Sequence, residues 1–277
     1  MSKLRFSIII NCYNTLPLIK KCLEAALTST DRDTELILIN NHPPYPEALT
    51  FLREFQHPRV RILDPGRNIG CMPGFQYGAK HARGEYIVKL DDDVLVPRKK
   101  WTTAMGQALS DFPTLAYVAL LPSPIRAVGH RVKKDDYTLE FRQSTILFWC
   151  MMIKKNLWKK HFYLTNLPLY GVGERDYERK ANALGLKKAY LTSHVCTSLG
   201  RTEESDPLYG AWKLFYVKKK DQRSDFQTWK KSFQLGPEEM EIMRRFGYPE
   251  KQIDEVRTLL AIEQKTMDLP RAMEGGD

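Results

Sequence analysis

Three aspartates stand side by side at Asp91, Asp92 and Asp93, directly after the largely apolar run Glu85 to Leu90. Adjacent carboxylates repel one another, so packing them at a strand end is costly without a cation. A hard divalent ion, Mn2+ or Mg2+, offsets that cost, because it takes oxygen ligands and fills its shell with waters and phosphates. The competing interpretation is a solvated acidic turn, and a bare DxD is a weak motif. A second acidic group, Glu174-Arg175-Asp176, follows the glycine-flanked Gly171-Val172-Gly173. A carboxylate there could take a proton from an attacking hydroxyl, although the helix dipole alone also favours acids at a helix start. His194 adds a candidate imidazole ligand for a metal.

The elements that must position these groups can be read from the hydropathy pattern. Phe6 to Ile10 is continuously apolar and β-branched, as a buried parallel strand requires. Leu16, Ile19, Leu23, Ala26 and Leu27 then recur at helical spacing behind Pro17. Strands are expected again at Glu35 to Ile39, Arg59 to Leu63 and Glu85 to Leu90, with helices from Pro46 and over Pro73 to Ala82 between them. Such alternation specifies a parallel sheet with helices on its faces, and ligands of such sheets gather at the carboxyl ends of strands. Three polar clusters occupy those ends: Asn11 to Asn14, Asn40 to His42, and Asp91 to Asp93.

Further on, a helix is expected around Trp101 to Phe112 and a strand over Leu115 to Leu121. Ser123 to Arg142 is expected as a polar, basic loop, and Thr145 to Ile153 as a buried strand. A basic helix near Asn156 to Lys160 and the helix opened by the second acidic group follow. The last strand is Lys188 to Leu191, with a paired segment at His194 to Ser198. Beyond Gly200 the composition shifts: residues 209–235 carry seven lysines or arginines against two aspartates, interleaved with aromatics. The expected organisation is one domain over 1–200 and a basic, aromatic-rich helical extension over 201–277.

The spacing of these motifs resembles family 2 glycosyltransferases. Cys12-Tyr13-Asn14 after the first strand, Ile39-Asn40-Asn41 after the second, and Arg67-Asn68-Ile69-Gly70 with Gly74, Gly78 and Ala79 carry the resemblance. Gly84-Glu85-Tyr86-Ile87 leading into Leu90-Asp91-Asp92-Asp93 completes it. The resemblance runs over about residues 5–195. It implies an α/β fold of GT-A type, Rossmann-like, with a mostly parallel sheet and helices on both faces. It also implies a nucleotide-diphosphate sugar donor, UDP-linked by default, a divalent metal, Mn2+ or Mg2+, and inversion at the anomeric carbon.

Carried over by position, Asp91 is expected near the donor ribose or sugar, with Asp92 beside it and Asp93 on the metal. Cys12, Tyr13 and Asn14 are expected to border the base, and Asn68 and Gly70 to shape the wall beside the nucleotide. Arg67 could meet phosphate through two parallel hydrogen bonds. Asn40 departs from the aspartate usual at its position; an asparagine donates as well as accepts, which leaves the base open. Glu174 falls on the catalytic base position and Asp176 on its acidic neighbour. The position of the late metal-binding histidine falls nearer Ser198 than His194.

Composition bounds the remaining choices. The 277 residues, 43% of them hydrophobic, suffice for one generous α/β domain or a domain with an extension. Five widely spaced cysteines form no CxxC pair and fit buried thiols of a reducing compartment. No apolar run is long enough to span a bilayer, so a cytoplasmic protein is expected, in reach of the inner face of a membrane. A formal charge of +10 favours anionic partners. Residues 125–160 hold nine basic and three acidic side chains, which suits a glycan or lipid-linked acceptor at an acidic membrane. Transfer onto modified DNA bases, or a non-catalytic nucleotide-sugar or glycan binder on a degenerate scaffold, are the alternatives. The absence of GxGxxG after the first strand and of GxxxxGK[ST] excludes dinucleotide oxidoreductases and P-loop enzymes.

Overall fold

A computed structural model describes residues 4–169, 173–200, 206–218 and 226–268. The chain divides into two compact units, 1–200 and 201–277. Unit one is a mixed α/β structure around one sheet. In order of introduction, β1 (Phe6–Cys12), β2 (Thr34–Asn40), β3 (Val60–Leu63) and β4 (Tyr86–Asp91) pair in parallel as β3-β2-β1-β4. Helices α1 (Leu16–Ser29), α2 (Pro46–Glu54) and α3 (Cys71–His81) make the crossovers. β5 (Val94–Leu95), α4 (Trp101–Asp111), β6 (Leu115–Ser123), β7 (Arg131–Lys133), β8 (Thr138–Phe141), β9 (Cys150–Lys154), α5 (Lys155–Leu157), α6 (Glu174–Ala183) and β10 (Lys187–Ser198) follow. The sheet continues from β4 as β9-β6-β10-β8-β7, with β5 paired to the end of β10.

Strands β1, β2 and β4 are buried almost throughout, with Ile8, Ile10, Leu36, Leu38, Ile87 and Val88 inaccessible to solvent. That burial on both faces is why they read as unbroken apolar runs rather than alternating ones. The chain runs outward from β1 to β3 and returns to β4 on the other side of β1. A crevice therefore opens at the carboxyl ends of β1 and β4, where connections leave in opposite directions.

Several boundaries differ from the sequence expectation. Residues 123–142 are not a plain loop: β7 and β8 form a hairpin, and β8 pairs antiparallel to β10. The strand expected from Thr145 begins only at Cys150 and runs antiparallel between β4 and β6. Hydropathy reports burial and not direction, so neither the late start nor the orientation was readable. Lys188 to Leu191 and His194 to Ser198 are one strand, with a register shift against β6 between Leu191 and Val195. The basic helix is a single turn, α5, continued by a π-type turn over Trp158–Phe162.

Unit two is helical: α7 (Pro207–Lys213), α8 (Phe226–Ser232), α9 (Pro237–Arg245) and α10 (Glu250–Asp268), with a π-type turn at Leu214–Lys218. Its aromatics form its core. Trp212, Phe215, Tyr216, Phe226 and Trp229 are all buried, and rings pack at 5.6 Å for Trp212–Phe226 and 4.4 Å for Trp229–Phe233. Among the described residues, the aromatics of this segment thus serve helix packing, and Lys230 is paired with Glu263 at 2.8 Å. Among the described residues no helix is long and apolar enough to cross a membrane.

Candidate active site

The carboxyl ends of β1, β2 and β4 bring the three polar clusters together. Asp92 is buried, and both its oxygens are engaged by the turn after β1, from Tyr13 N–H and from the backbone and side-chain N–H groups of Asn14. The sequence expectation placed Asp92 on the nucleotide; its side chain instead ties β4 to β1. Cys12 is likewise fully buried, its thiol 3.6 Å from the Ile10 carbonyl oxygen, so that side chain belongs to the core and not to a base-binding wall. Tyr13 and Asn14, by contrast, are only half-buried at the strand end.

Asp91 and Asp93 are the partly exposed members of the triplet. Asp91 pairs with Lys89, two residues earlier on the same face of β4. The Lys89 ammonium is buried and also donates to the Phe148 carbonyl oxygen at 2.9 Å. Burial alone would push Lys89 down; the nearby acidic groups, Asp91 foremost, hold it well above its ordinary value. A buried lysine two residues before an acidic turn is visible in the sequence, but its apolar neighbours disguise it as a strand residue.

Asp93 lies where β5 turns toward β10. Its backbone oxygen accepts from Leu199 N–H at 2.7 Å, and Ser198 pairs with Val94. A Cβ on Gly200 would stand 1.6 Å from Asp93 Oδ2 and 3.1 Å from Ser198 Oγ, so a side chain there would turn this carboxylate aside. Burial first, then the charges of Asp92 and Asp91, push the Asp93 carboxyl up to about 7. Such an undercharged carboxylate set is what a divalent cation relieves. Asp91 and Asp93 fit a Mn2+ or Mg2+ ion that keeps waters and phosphate oxygens as further ligands. Among the described residues, no three His, Cys, Asp or Glu side chains form a metal cage by themselves.

His194 is not brought to that cluster. It lies four residues before Ser198 along β10, roughly 13 Å at strand rise. Its Nδ1 is 3.0 Å from Ser193 Oγ. The register shift in β10 could not be read from spacing, and Ser198 is the residue that reaches Asp93's neighbourhood.

α6 begins at Glu174, behind Gly173 at φ 137°. A Cβ at Gly173 would also stand 2.7 Å from Met72 Cγ, so this glycine permits both the turn and the approach of α6 to α3. Residues 170–172, part of the glycine-flanked turn, lie outside the described residues. Asp176 is paired with Arg179 one turn on, and Glu178 with Lys188 at 2.8 Å. Tyr177 joins Phe148, Tyr117 and Phe162 in an aromatic cluster, with rings 5.2 Å apart for Phe148–Tyr177. Phe148 is therefore a core residue, while Trp149 is half-buried and its carbonyl accepts from Asp91 N–H at 2.9 Å.

The loop 64–70 closes the other side. Asn68 Oδ1 accepts from Gly70 N–H at 2.9 Å, and Gly70, at φ 93°, sits so close to the Leu169 backbone that a Cβ would stand 2.5 Å from it. Asn11 Nδ2 donates to the Gly70 oxygen at 3.3 Å and Asn41 Oδ1 accepts from Ile69 N–H at 2.8 Å, hanging this loop from β1 and β2. Arg67 is exposed on it. Asn40 is buried and bonded to Asp64, a residue the motif reading passed over.

Sheet order, crevice and acidic strand end are those of a GT-A fold. The pattern described as Glycosyl transferase family 2 matches residues 7–170, and the chain belongs to that family. Its fold is similar to a mannosyltransferase from Pyrobaculum calidifontis solved with GDP-Man and Mn2+, at 16% identity and a TM-score of 0.55, covering 99% of this chain and 76% of that one. It is also similar to GalNAc-T7 solved with UDP, GalNAc and Mn2+, at 13% identity and a TM-score of 0.59, covering 93% and 57%. An uncharacterised glycosyltransferase, EpsJ of Bacillus subtilis (strain 168), is 32% identical over 107 residues, 38% of this chain. The chain spans 29% of the length of that relative.

Proposed function

We propose that this glycosyltransferase moves a sugar from a nucleoside-diphosphate sugar, UDP-linked, to an acceptor hydroxyl, with a divalent cation and inversion at the anomeric carbon. The observation that carries the reading is the acidic end of β4, where Asp91 and Asp93 stand partly exposed on either side of the buried Asp92 that is bonded to the β1 turn. Asp93 and Asp91 would hold Mn2+ or Mg2+, and the ion would neutralise charge developing on the departing diphosphate. Tyr13, Asn14, Asn68, Gly70 and Arg67 would line the nucleotide. Glu174 would accept the acceptor hydroxyl proton during a single in-line displacement. Asp176 is less suited to that role because Arg179 already engages it.

The acceptor reading rests on charge. Arg126, Arg131, Lys133 and Lys134 are basic residues around the β7–β8 hairpin, with Val128 77% exposed beside them. Cations next to an apolar side chain suit a glycan presented on an acidic lipid surface, at the inner face of a membrane. A thermal-shift screen of UDP-, GDP- and TDP-sugars with Mn2+ tests the donor, since a bound donor raises stability by mass action. Salt-dependent retention on anionic liposomes rather than duplex DNA is expected; retention on DNA alone would transfer the acceptor to nucleic acid. Release of no nucleotide diphosphate from any donor would remove the catalytic scheme.

A further inference from the structure

Asn40 and Asp64 meet at the carboxyl ends of β2 and β3, and their bonding decides which of them faces a ligand. Asn40 is 1% exposed. Its Nδ2 donates to Asp64 Oδ2 at 2.9 Å and its Oδ1 accepts from His42 N–H at 3.3 Å. Asp64, by contrast, has a side chain 45% exposed. Its Oδ1 accepts from Gly66 N–H at 2.7 Å and lies 2.9 Å from His42 Nε2. His42 has φ 53°, a left-handed conformation that is costly for a residue with a side chain, and it sets the imidazole on Asp64. Strain of this kind persists where surrounding contacts fix it, and it clusters at ligand sites.

A cavity of about 710 Å³ opens beside this group, lined by Asn40, Asp64, Leu52, Phe55, Val60 and Ile62 among others. Arg53, Gln56 and His57 share the lining with these apolar side chains, and Asp64 is its one carboxylate, a mixed wall that suits a planar heterocycle carrying an N–H donor. Its distance from the acidic triplet is set by the sheet. β4, β1, β2 and β3 are successive neighbours, so the ends of β4 and β3 lie roughly 14 Å apart at normal strand spacing. An extended nucleoside diphosphate whose phosphates meet a cation held by Asp91 and Asp93 would reach that far.

We infer that Asp64, held by His42 and Asn40, is the residue that reads the donor base, and that it selects a base with a single imide N–H, as uracil has. The inference rests on the nucleotide-sugar reading above. An ionised carboxylate offers about four acceptor positions. Three of those on Asp64 are taken by Asn40, His42 and Gly66, which leaves one on Oδ2. One open acceptor fits one donor. Guanine presents its ring N–H and exocyclic amine together and needs two, while cytosine offers its amine N–H only beside the N3 acceptor, whose lone pair repels a carboxylate. Burial opposes ionisation of Asp64, but the bonds from Gly66, His42 and Asn40 hold its carboxyl below the usual range, so the acceptor is charged at neutral pH.

The test is calorimetric binding of UDP, GDP and CDP, each with Mn2+, to the full chain and to Asp64→Asn and His42→Ala variants whose folding is checked by circular dichroism. Wild type is expected to bind UDP at least tenfold more tightly than CDP or GDP. Asp64→Asn exchanges an acceptor for a donor and should erase the UDP-over-CDP ratio while leaving the Mn2+ requirement unchanged. His42→Ala, which keeps the carboxylate, should reduce the ratio only in part. An unchanged ratio in folded Asp64→Asn, or a wild-type preference for GDP or CDP, overturns the assignment while the donor site stands. Binding of none of the three overturns the donor-site reading as well.

Discussion

Asp92 and Asn14 are joined twice, the carboxylate Oδ2 taking the Asn14 backbone N–H and Oδ1 its side-chain amide, each at 2.8 Å. Tyr13 N–H adds a third bond at 2.7 Å. The middle aspartate of the triplet is thus the strut that holds the β1 turn against β4. Hydrogen bonds to a charged group contribute about 1.5–3 kcal/mol each, but they do not sum. Burial and the neighbouring Asp91 already push the Asp92 carboxyl up, so part of the gain is offset. Asp92→Ala is expected to destabilise the fold by about 2–4 kcal/mol, measured by denaturant unfolding, and a loss below about 0.5 kcal/mol would remove the strut role.

Asp93 and Glu174 are expected to fail differently. Asp93→Ala should abolish Mn2+-dependent turnover and, by removing a carboxylate under repulsion from Asp92 and Asp91, leave the fold intact or slightly stabilised. Glu174→Gln should lower turnover by about 10²–10⁴-fold, the usual contribution of a general base, with donor affinity unchanged. Full transfer by Glu174→Gln would move the base elsewhere.

Gly200 offers a test of the Asp93 geometry that leaves every carboxylate in place. Gly200→Ala puts a methyl where Asp93 Oδ2 now lies. The carboxylate must turn away, so the Mn2+ concentration for half-maximal activity is expected to rise at least tenfold. A metal titration unchanged in this variant would show that Asp93 does not hold the ion.

Lys89 is expected to resist replacement. Removing one partner of a buried ion pair costs about 3–5 kcal/mol, and the partial exposure of Asp91 brings the expected loss for Lys89→Met to about 2–3 kcal/mol. Donor affinity should fall with it, because Asp91 loses the contact that orients it. Lys89→Arg should recover affinity more than stability, since it keeps the charge but not the fit.

The Asp64 group sets a pH dependence. Its carboxyl lies below the ordinary value in the folded protein. The unfolded chain therefore takes up a proton first as pH falls, and the stabilisation, complete above the ordinary carboxylate range, is lost on acidification through it. Urea unfolding of wild type and Asp64→Asn should give stabilities that differ at pH 7 and converge toward pH 3. A constant difference would contradict this linkage.

How much was legible in the sequence follows the reach of each interaction. Burial on both faces wrote β1, β2 and β4 as apolar runs, and the polar residues that end those runs marked Asn14, Asn40 and Asp91 to Asp93 as neighbours at one edge. Parallel topology then gave the crevice, and the combined spacing gave the family. These are properties of chain segments and their order, so composition and periodicity contain them. The tertiary structure alone decided how the roles divide within each cluster. It spent Asp92 on Asn14, buried Cys12, carried His194 away along a shifted strand, and set Asp64 on Asn40. Those outcomes depend on hydrogen bonds between residues 24 to 79 positions apart, and on strand register. No local pattern encodes them, because a side chain's partner is chosen by where the neighbouring strand ends.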